Sequence, residues 1–332
     1  MGTYILRRCI QAVFIMFGLS VVFFLILHLT PGGPCAAFDG PTQAAQAKLQ
    51  QCIRRLGVDR PLIVQYTNLM GQYLHGNLGT SNSGDSVVSI FAQKLPATLL
   101  LMGSSYLLQQ MIALPLGVFA ALKQYSFFDQ VFTFLSYVGL SMPTFWLGIM
   151  LIFFFSVQLN VFPAGHIQSA TMPLFWSHDW FVLLGQNPGL VLGDLIKHLA
   201  LPCFVLMITG VAVDSRYMRA SMLEVIRQDY IRTARAKGLS RRVVIFKHAF
   251  RNALLPIITN IGLYLPALIG GAIITETIFS WGGLGYYFFT AIVNNDYPVV
   301  QGLSMLSALA VLAGNLLADI TYAWVDPRIR YD

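Results

Sequence analysis

The sequence predicts an all-α membrane protein with six transmembrane helices and both termini in the cytoplasm. Its 332 residues are 56% hydrophobic and only 11% charged, whereas an average soluble domain carries roughly 25% charged residues. Six apolar segments reach the length of roughly 20 residues that a helix needs to cross a bilayer core of about 30 Å. The basic residues also follow membrane topology. These three observations exclude an ordinary soluble protein.

The six predicted spans are residues 10–29, 97–122, 131–157, 199–217, 254–279 and 303–324. The first follows Arg7 and Arg8, as a signal peptide would, but no small-residue cleavage site follows it, so it is predicted to be retained. Prolines interrupt several spans, which a membrane helix tolerates where neighbours or a cavity satisfy the freed carbonyls. The chain is predicted to divide into residues 1–94, the first helix with an outer loop, and residues 95–332, a five-helix core with a cytoplasmic loop at 218–253.

The Lys and Arg residues set the predicted orientation. With the N-terminus inside, 15 of the 21 lie on the cytoplasmic side, as the positive-inside rule requires. The outer loops are then residues 30–96, with a helix-like piece at 42–56, residues 158–198, and a short aromatic segment before the last span. The net charge of +7 therefore reflects topology and gives little support to nucleic-acid binding.

The four cysteines show neither a CxxC pair nor metal-ligand spacing, and no metal site is expected. Cys35 and Cys52 lie in the same predicted outer loop, where oxidation can occur. A disulfide between them and two free thiols both remain open.

One dense basic stretch, "DYIRTARAKGLSRR" at residues 229–242, stands out, with six charged residues among fourteen. A helix is predicted over 222–238, with Gly238 as its C-cap and Ser240 capping the next helix. Small residues at the tip would allow the helix into a narrow groove, flanked by basic donors. Three interpretations compete: a loop on anionic lipid, a nucleic-acid site, disfavoured by the lack of interleaved aromatic residues, and a docking helix for a cytoplasmic protein.

The stretch resembles the coupling loop, or EAA loop, of bacterial ABC-importer permeases, and the whole chain is similar to the oligopeptide/dipeptide (and nickel) uptake permeases. The matching motifs are "ILRRCIQAVFIMFGLSVVFFLILHLTPGGP", "LGVDRPLIVQY", "LHGNLGTS", "LPATLLL", "RYMRASMLEVIRQDYIRTARAKGLSRR", "RNALLP", "ETIFSWGGLG", "YPVVQG" and "DPRIRY". Departures include Arg232, Thr233 and Ala234 where the general pattern has Glu-Ala-Ala. "PGGP" and "GNLG" also each lack an Asp that the family usually carries.

The resemblance implies a type I ABC importer permease in the bacterial cytoplasmic (inner) membrane, importing di- or oligopeptides, with nickel as a variant. It implies three kinds of protein partner besides membrane lipid: a second related permease, two ABC ATPase subunits and an extracytoplasmic substrate-binding protein, with no nucleic acid. The residues expected to meet an ATPase are Asp229, Arg232, Thr233, Ala234, Arg235, Ala236, Lys237 and Gly238.

No phosphate-binding loop of the G-x-x-x-x-G-K-[ST] type occurs, and no hydrolytic constellation stands out, so the chain is not expected to be an enzyme. ATP and Mg would belong to partner subunits, leaving this chain without a cofactor. Ionisable residues within spans are functional candidates because burying them is costly. Glu276, Asp214 and Asp319 are the pathway or gate candidates. The alternatives are a helix-end hydrogen bond for Glu276, neutralisation of Asp214 by Arg216, and snorkelling of Asp319. An ion-driven transporter using Glu276 and Asp319 is the rival interpretation.

Overall fold

The computed structural model describes residues 2–30, 33–254, 257, 264 and 271–325, without the side chains of residues 2–5, 36, 55 and 317–325. Every regular element in these ranges is helical, and the described residues contain no β-strand beyond one isolated bridge between Thr80 and Ser86. The all-α prediction is confirmed for this part of the chain.

The described part of the chain contains fourteen α-helices. In chain order they are α1 Gly2–Leu29, α2 Gln43–Leu56, α3 Leu62–Leu74, α4 Val87–Leu122, α5 Phe127–Ser141, α6 Thr144–Leu151, α7 His178–Gln186, α8 Pro188–Ile226, α9 Asp229–Ala236, α10 Arg241–Val243, α11 Arg251–Ala253, α12 Ile273–Ile278, α13 Leu284–Val293 and α14 Tyr297–Val325. A 3₁₀ helix covers Gly33–Phe38, and π-helical turns cover Ile152–Gln158 and Val244–Phe250.

Four helices of the described chain are long and apolar enough to cross a membrane: Leu6–Leu29, Val87–Leu122, Pro188–Ile226 and Tyr297–Leu316. A fifth candidate is the pair Phe127–Ser141 and Thr144–Gln158, which bends by 97°. The bend falls at Pro143, which has no N–H to continue the helix and pushes the residue before it into extended backbone. The predicted span at 254–279 lies mostly outside the described residues.

The predicted outer loop at 158–198 contains the start of a long helix, because α8 begins at Pro188 and runs unbroken for 39 residues. Its start is encoded locally, since the Asn187 side chain accepts a hydrogen bond from the backbone N–H of Leu190 and Pro188 occupies the first turn, where proline is favoured. At 1.5 Å per residue the helix is about 58 Å long, well beyond a bilayer core. One end of α8 therefore extends out of the apolar layer and carries the basic loop.

The chain forms two compact units, residues 1–96 with 282–332, and residues 97–281. The predicted division at 94/95 stays a prediction. In the first unit, Thr42 caps α2, accepting from Ala45 N at 3.2 Å, and α2 matches the helix expected at 42–56. The core of this unit is a buried cluster of Val87, Ile90, Leu284, Ala291, Val299 and Leu303.

A disulfide joins Cys35 to Cys52, with their Cα atoms 5.9 Å apart, and ties the 3₁₀ helix to α2. Replacing both cysteines with serine is expected to lower the free energy of unfolding by about 3 kcal/mol, because the closed loop restricts the unfolded chain. Denaturant titration of the purified chain measures this. The exposed free thiol Cys9 provides the control, since Cys9→Ser should change nothing. Recovery of both peptides unlinked under non-reducing conditions would contradict the disulfide.

In the second unit, the connection between α6 and α8 is fixed to the N-terminal part of α8. Ser169 donates its hydroxyl and its backbone N–H to Asp194, at 2.5 and 3.0 Å. One turn later, His198 Nδ1 lies 2.9 Å from the carbonyl of Gly165. These contacts fix residues 159–177, which have no regular secondary structure. The buried indole of Trp281 adds a hydrogen bond to the Ala97 carbonyl at 2.8 Å.

Candidate functional site

The basic segment forms a short helix set off by a break on each side. The prediction of one continuous helix over 222–238 is wrong, because the chain forms two helices there. α8 ends at Ile226, Gln228 is extended, and α9 starts at Asp229. Asp229 in the first turn suits the positive end of the helix dipole. Gly238 has φ +75, the left-handed conformation expected of a residue after a helix C-terminus. Ser240 precedes α10 as predicted, but its side chain makes no capping hydrogen bond.

The inner face of α9 is packed into a hydrophobic core. Ile231 is 0% exposed and Ala234 6% exposed, and their spacing of three places them on one side of the helix. They contact a cluster of buried residues: Val118, Ala121, Met218, Met222, Val244, Ala249, Ala253 and Ile257. The side chain of Ala234, expected to meet a partner, instead faces inward. The segment is thus seated firmly on α4, α8 and the helices that follow.

The outer face of α9 carries the polar and small residues. The exposed residues of α9 and of the two positions after it are Asp229, Tyr230, Arg232, Thr233, Arg235, Ala236, Lys237 and Gly238. Arg232 and Asp229 form an ion pair at 3.6 Å, with 77% and 96% of their side chains exposed, so it contributes little to stability. A cleft of about 450 Å³ adjoins α9 and is lined in part by Ile231 of the inner face and by Arg235 and Leu239. A fixed helix with a polar face and a small tip is suited to docking.

A charged contact that the sequence prediction missed fixes the turn beside this site. Asp129, which is buried, accepts a hydrogen bond from Arg219 Nη2 at 2.8 Å and from the backbone N–H of Tyr125 at 2.9 Å. It links the start of α5 to the end of α8. The sequence signal was present but weak, because an aspartate three residues after the capping Ser126 also fits an ordinary helix N-terminus.

Removing either partner of this pair is expected to destabilise the protein. In a double-mutant cycle of Asp129→Asn and Arg219→Met, we expect a coupling free energy of about 1.5–3 kcal/mol, the range for hydrogen bonds to charged groups. Denaturant titration in mixed micelles gives the four unfolding free energies. The exposed Asp229–Arg232 pair is the control, with an expected coupling of at most about 1 kcal/mol. Equal coupling for the two pairs would show that burial of Asp129 adds nothing.

Asp214, one of the predicted pathway residues, lies buried between α8 and α4. Its Oδ2 accepts hydrogen bonds from Gln109 Nε2 at 2.7 Å and from Gln110 Nε2. The expected neutralisation by Arg216 is not found: within the described chain Arg216 donates to the Ala212 carbonyl at 3.2 Å and lies over the ring of Tyr137. Amide donors rather than a cation thus satisfy this carboxyl group.

Glu276 is fully buried in α12 and accepts a hydrogen bond from Thr98 Oγ1 at 3.0 Å. Thr98 and Gln109 are 11 residues apart on α4, or about 16 Å, so Glu276 and Asp214 occupy separate sites. The side chain of Asp319 lies outside the described part. Among the described residues, no three His, Cys, Asp or Glu side chains are grouped so as to hold a metal ion.

The fold and the site together are those of a membrane-embedded transport component. Its long apolar helices bury carboxyl groups among them and carry a polar helix at one end. The family model "Binding-protein-dependent transport system inner membrane component" matches residues 113–331, and its N-terminal companion, "Binding-prot-dependent transport system membrane comp, N-term", matches residues 1–102. The chain belongs to the binding-protein-dependent transport system inner membrane component family, and it is a multi-pass protein of the inner membrane.

Full-length relatives agree with this assignment. The chain is 42% identical over 333 residues to the oligopeptide transport system permease protein AppB of Bacillus subtilis, covering 100% of both chains. It is 40% identical over 336 residues to the dipeptide transport system permease protein DppB of Escherichia coli K12, covering 99% of this chain and 98% of the relative. A di/tripeptide permease DppB of Pseudomonas aeruginosa is 40% identical over 339 residues, with 100% and 99% covered.

Proposed function

We propose that the chain is the permease subunit of an ATP-driven ABC importer for di- and oligopeptides, which an extracytoplasmic binding protein delivers. The observation that carries the proposal is α9, whose inner face is locked into the core by Ile231 and Ala234 while its outer face stays exposed. The peptide substrate is supported by relatives that match over their whole length and are named oligopeptide or dipeptide permeases. Six spans, one of them at 254–279, and cytoplasmic termini complete the proposal.

In the proposed mechanism, α9 is the coupling helix that enters a groove on one of two cytoplasmic ATPase subunits. A second, related permease supplies the other coupling helix. Arg232, Arg235 and Lys237 meet acidic or polar groups of the ATPase, and the absence of a side chain at Gly238 allows close approach. Closure of the ATPase dimer moves both coupling helices. The partner subunits bind ATP and Mg, and this chain holds no cofactor.

The contacts of α9 explain how such a motion would reach the membrane. Ile231 packs in one cluster with Met218 and Met222 of α8, and protein cores transmit displacement because they are close-packed. The Asp129–Arg219 contact couples α5 to the same end of α8. A displacement of α9 would therefore move α8 as a rigid element together with α5.

We propose roles for the three pathway candidates from different kinds of support. Asp214 has amide donors and lies between two spans, which fits a polar site beside the route of the substrate. Glu276 is fully buried and accepts a hydrogen bond from Thr98, which favours the helix-end role over contact with substrate. Asp319 is proposed from its position in the last span alone.

Affinity purification of the tagged chain from mild detergent tests the proposal. We expect an ATPase with a phosphate-binding loop and a second permease to accompany the chain, and the ATPase to be lost when Gly238 is replaced by tryptophan. The proposal would be overturned if the chain, purified without partners, moved peptide across liposomes in the absence of ATP. That outcome would favour the ion-driven transporter.

A further inference from the structure

A cavity of about 480 Å³ lies within the unit formed by residues 1–96 and 282–332. One wall is apolar and includes Phe24 and Leu27 of α1 and Leu69 of α3. The lining also includes polar side chains, among them Gln72, Asn77 and Gln301. Its size falls in the range of small-molecule sites, which are mostly apolar with a few convergent polar groups.

Gln301 is a polar residue of the lining whose side-chain nitrogen finds no hydrogen-bond acceptor in the described part of the chain. Its side chain is 7% exposed, and its Nε2 has no hydrogen-bond partner among the described residues. A neighbouring glutamine shows the contrast: Gln65 Oε1 lies 2.7 Å from His28 Nε2, and Gln65 Nε2 donates to the carbonyls of Arg60 and Val58. Since buried amides are normally hydrogen-bonded, the free donor of Gln301 indicates a ligand with an acceptor oxygen.

The lining residues identify the class of ligand. None of them is Asp, Glu, Lys or Arg, and burial raises the pKa of Tyr73, so its hydroxyl stays neutral. The two ring nitrogens of His28 already face Gln65 and the carbonyl of Phe24. A short peptide would bring a charged amino and a charged carboxyl group without a fixed counter-ion, and burying such charges unpaired is costly. The portion of the ligand that enters is therefore uncharged.

The location narrows the class further. Phe24, Leu27 and His28 form the last turns of the first apolar helix, and Tyr297 and Gln301 start the last one. The ends of membrane-spanning helices lie near the interface of a bilayer, where the acyl chains join the polar ester oxygens and where tyrosine is enriched. A second cavity of about 280 Å³ shares Pro34, Leu56 and Pro298 with the first and offers a way out for a polar group.

We propose that this cavity binds the acyl-ester portion of one phospholipid, with Gln301 Nε2 donating to an ester carbonyl and the acyl chain lying on Phe24, Leu27 and Leu69. We place this lipid in the outer leaflet, which rests on the proposed function with both termini in the cytoplasm. The bound lipid would fill the space between α1, α3 and the start of α14.

Photolabelling of the full chain in nanodiscs tests the site. The probe is phosphatidylethanolamine with a diazirine on one acyl chain, and mass spectrometry locates the label. We expect label on peptides containing residues 24–28 and 69–73. Leu69→Trp, which fills the cavity, should lower this label about tenfold, corresponding to about 1.4 kcal/mol. Ile63→Trp on the same helix is the control, because Ile63 is 79% exposed and outside the lining.

Gln301→Leu gives a second, nearly isosteric test. We expect it to lower the label while raising the thermal stability of the delipidated chain, since the unpaired amide is removed. An unchanged amount of label in both Leu69→Trp and Gln301→Leu would overturn the proposal. The label would then come only from bulk lipid around the exposed side of α1. Displacement of the label by an excess of an apolar dipeptide would overturn the lipid assignment in favour of peptide. Neither readout depends on an ATPase, so failure of the importer proposal would leave this result interpretable.

Discussion

Replacing Gly238 with tryptophan is expected to abolish ATP-driven peptide uptake while leaving the chain folded in the membrane. A Cβ built at Gly238 meets no heavy atom within 4 Å, so the indole would project away from the protein into the space proposed for the ATPase. The cost to the fold is limited to the backbone, which has φ +75 and disfavours a side chain by roughly 1–2 kcal/mol. The measurement is uptake of a labelled dipeptide by cells that depend on this chain, normalised to its amount in membranes.

Gly238→Ala is the matched control for this experiment. It carries the same backbone penalty because alanine is equally unsuited to φ +75, but it adds only a methyl group at the docking face. We therefore expect the alanine variant to retain most of the uptake and of the bound ATPase. Equal loss in both variants would assign the effect to the backbone, and normal uptake by Gly238→Trp would place the docking surface elsewhere.

Replacing Gly117 with leucine is expected to prevent α4 and α8 from packing and to remove most of the folded protein. A Cβ at Gly117 would lie 2.5 Å from the carbonyl oxygen of Ser215 and 2.6 Å from Cβ of Met218. A backbone oxygen cannot move aside as the end of a flexible side chain can, so the helices would have to separate. Overpacking typically costs about 1–3 kcal/mol where side chains can shift, and we expect a larger cost here because the backbone of α8 is in the way. Displaced helices would also disturb Met218 in the core beneath α9. Size-exclusion profiles of the detergent-extracted chain report the loss.

The same helix offers a close control in Gly103, where a Cβ would meet no atom within 4 Å. Gly103→Leu introduces the same side chain into the same helix, so membrane insertion and helix propensity change equally. We expect a normal elution profile for this variant. A comparable loss for both leucine variants would mean that hydrophobicity or helix propensity, rather than close packing at Gly117, decides the outcome.

Local signals in the sequence predicted much of the helical structure correctly. The helix at 42–56 and the left-handed Gly238 follow from a capping threonine and a C-terminal glycine, which act over a few residues. The start of α8 at Asn187–Pro188 carries an equally clear local signal, but hydrophobicity alone does not predict it, because the polar residues Asp194, Lys197 and His198 interrupt the apolar run. The full length of α8 matters for the proposed function, since this helix leads directly to the basic segment that begins with α9.

The composition and order of the chain thus determine an all-α membrane protein with one dense basic segment, because burial in lipid imposes apolar runs of a set length on the sequence itself. Tertiary packing decided the rest. It turned Ala234 inward, gave Asp214 two glutamine donors in place of Arg216, paired Asp129 with Arg219 from 90 residues away, and left Gln301 unpaired on a cavity wall. Such contacts depend on which helix faces meet, and helical periodicity reveals that a face is buried without revealing against what.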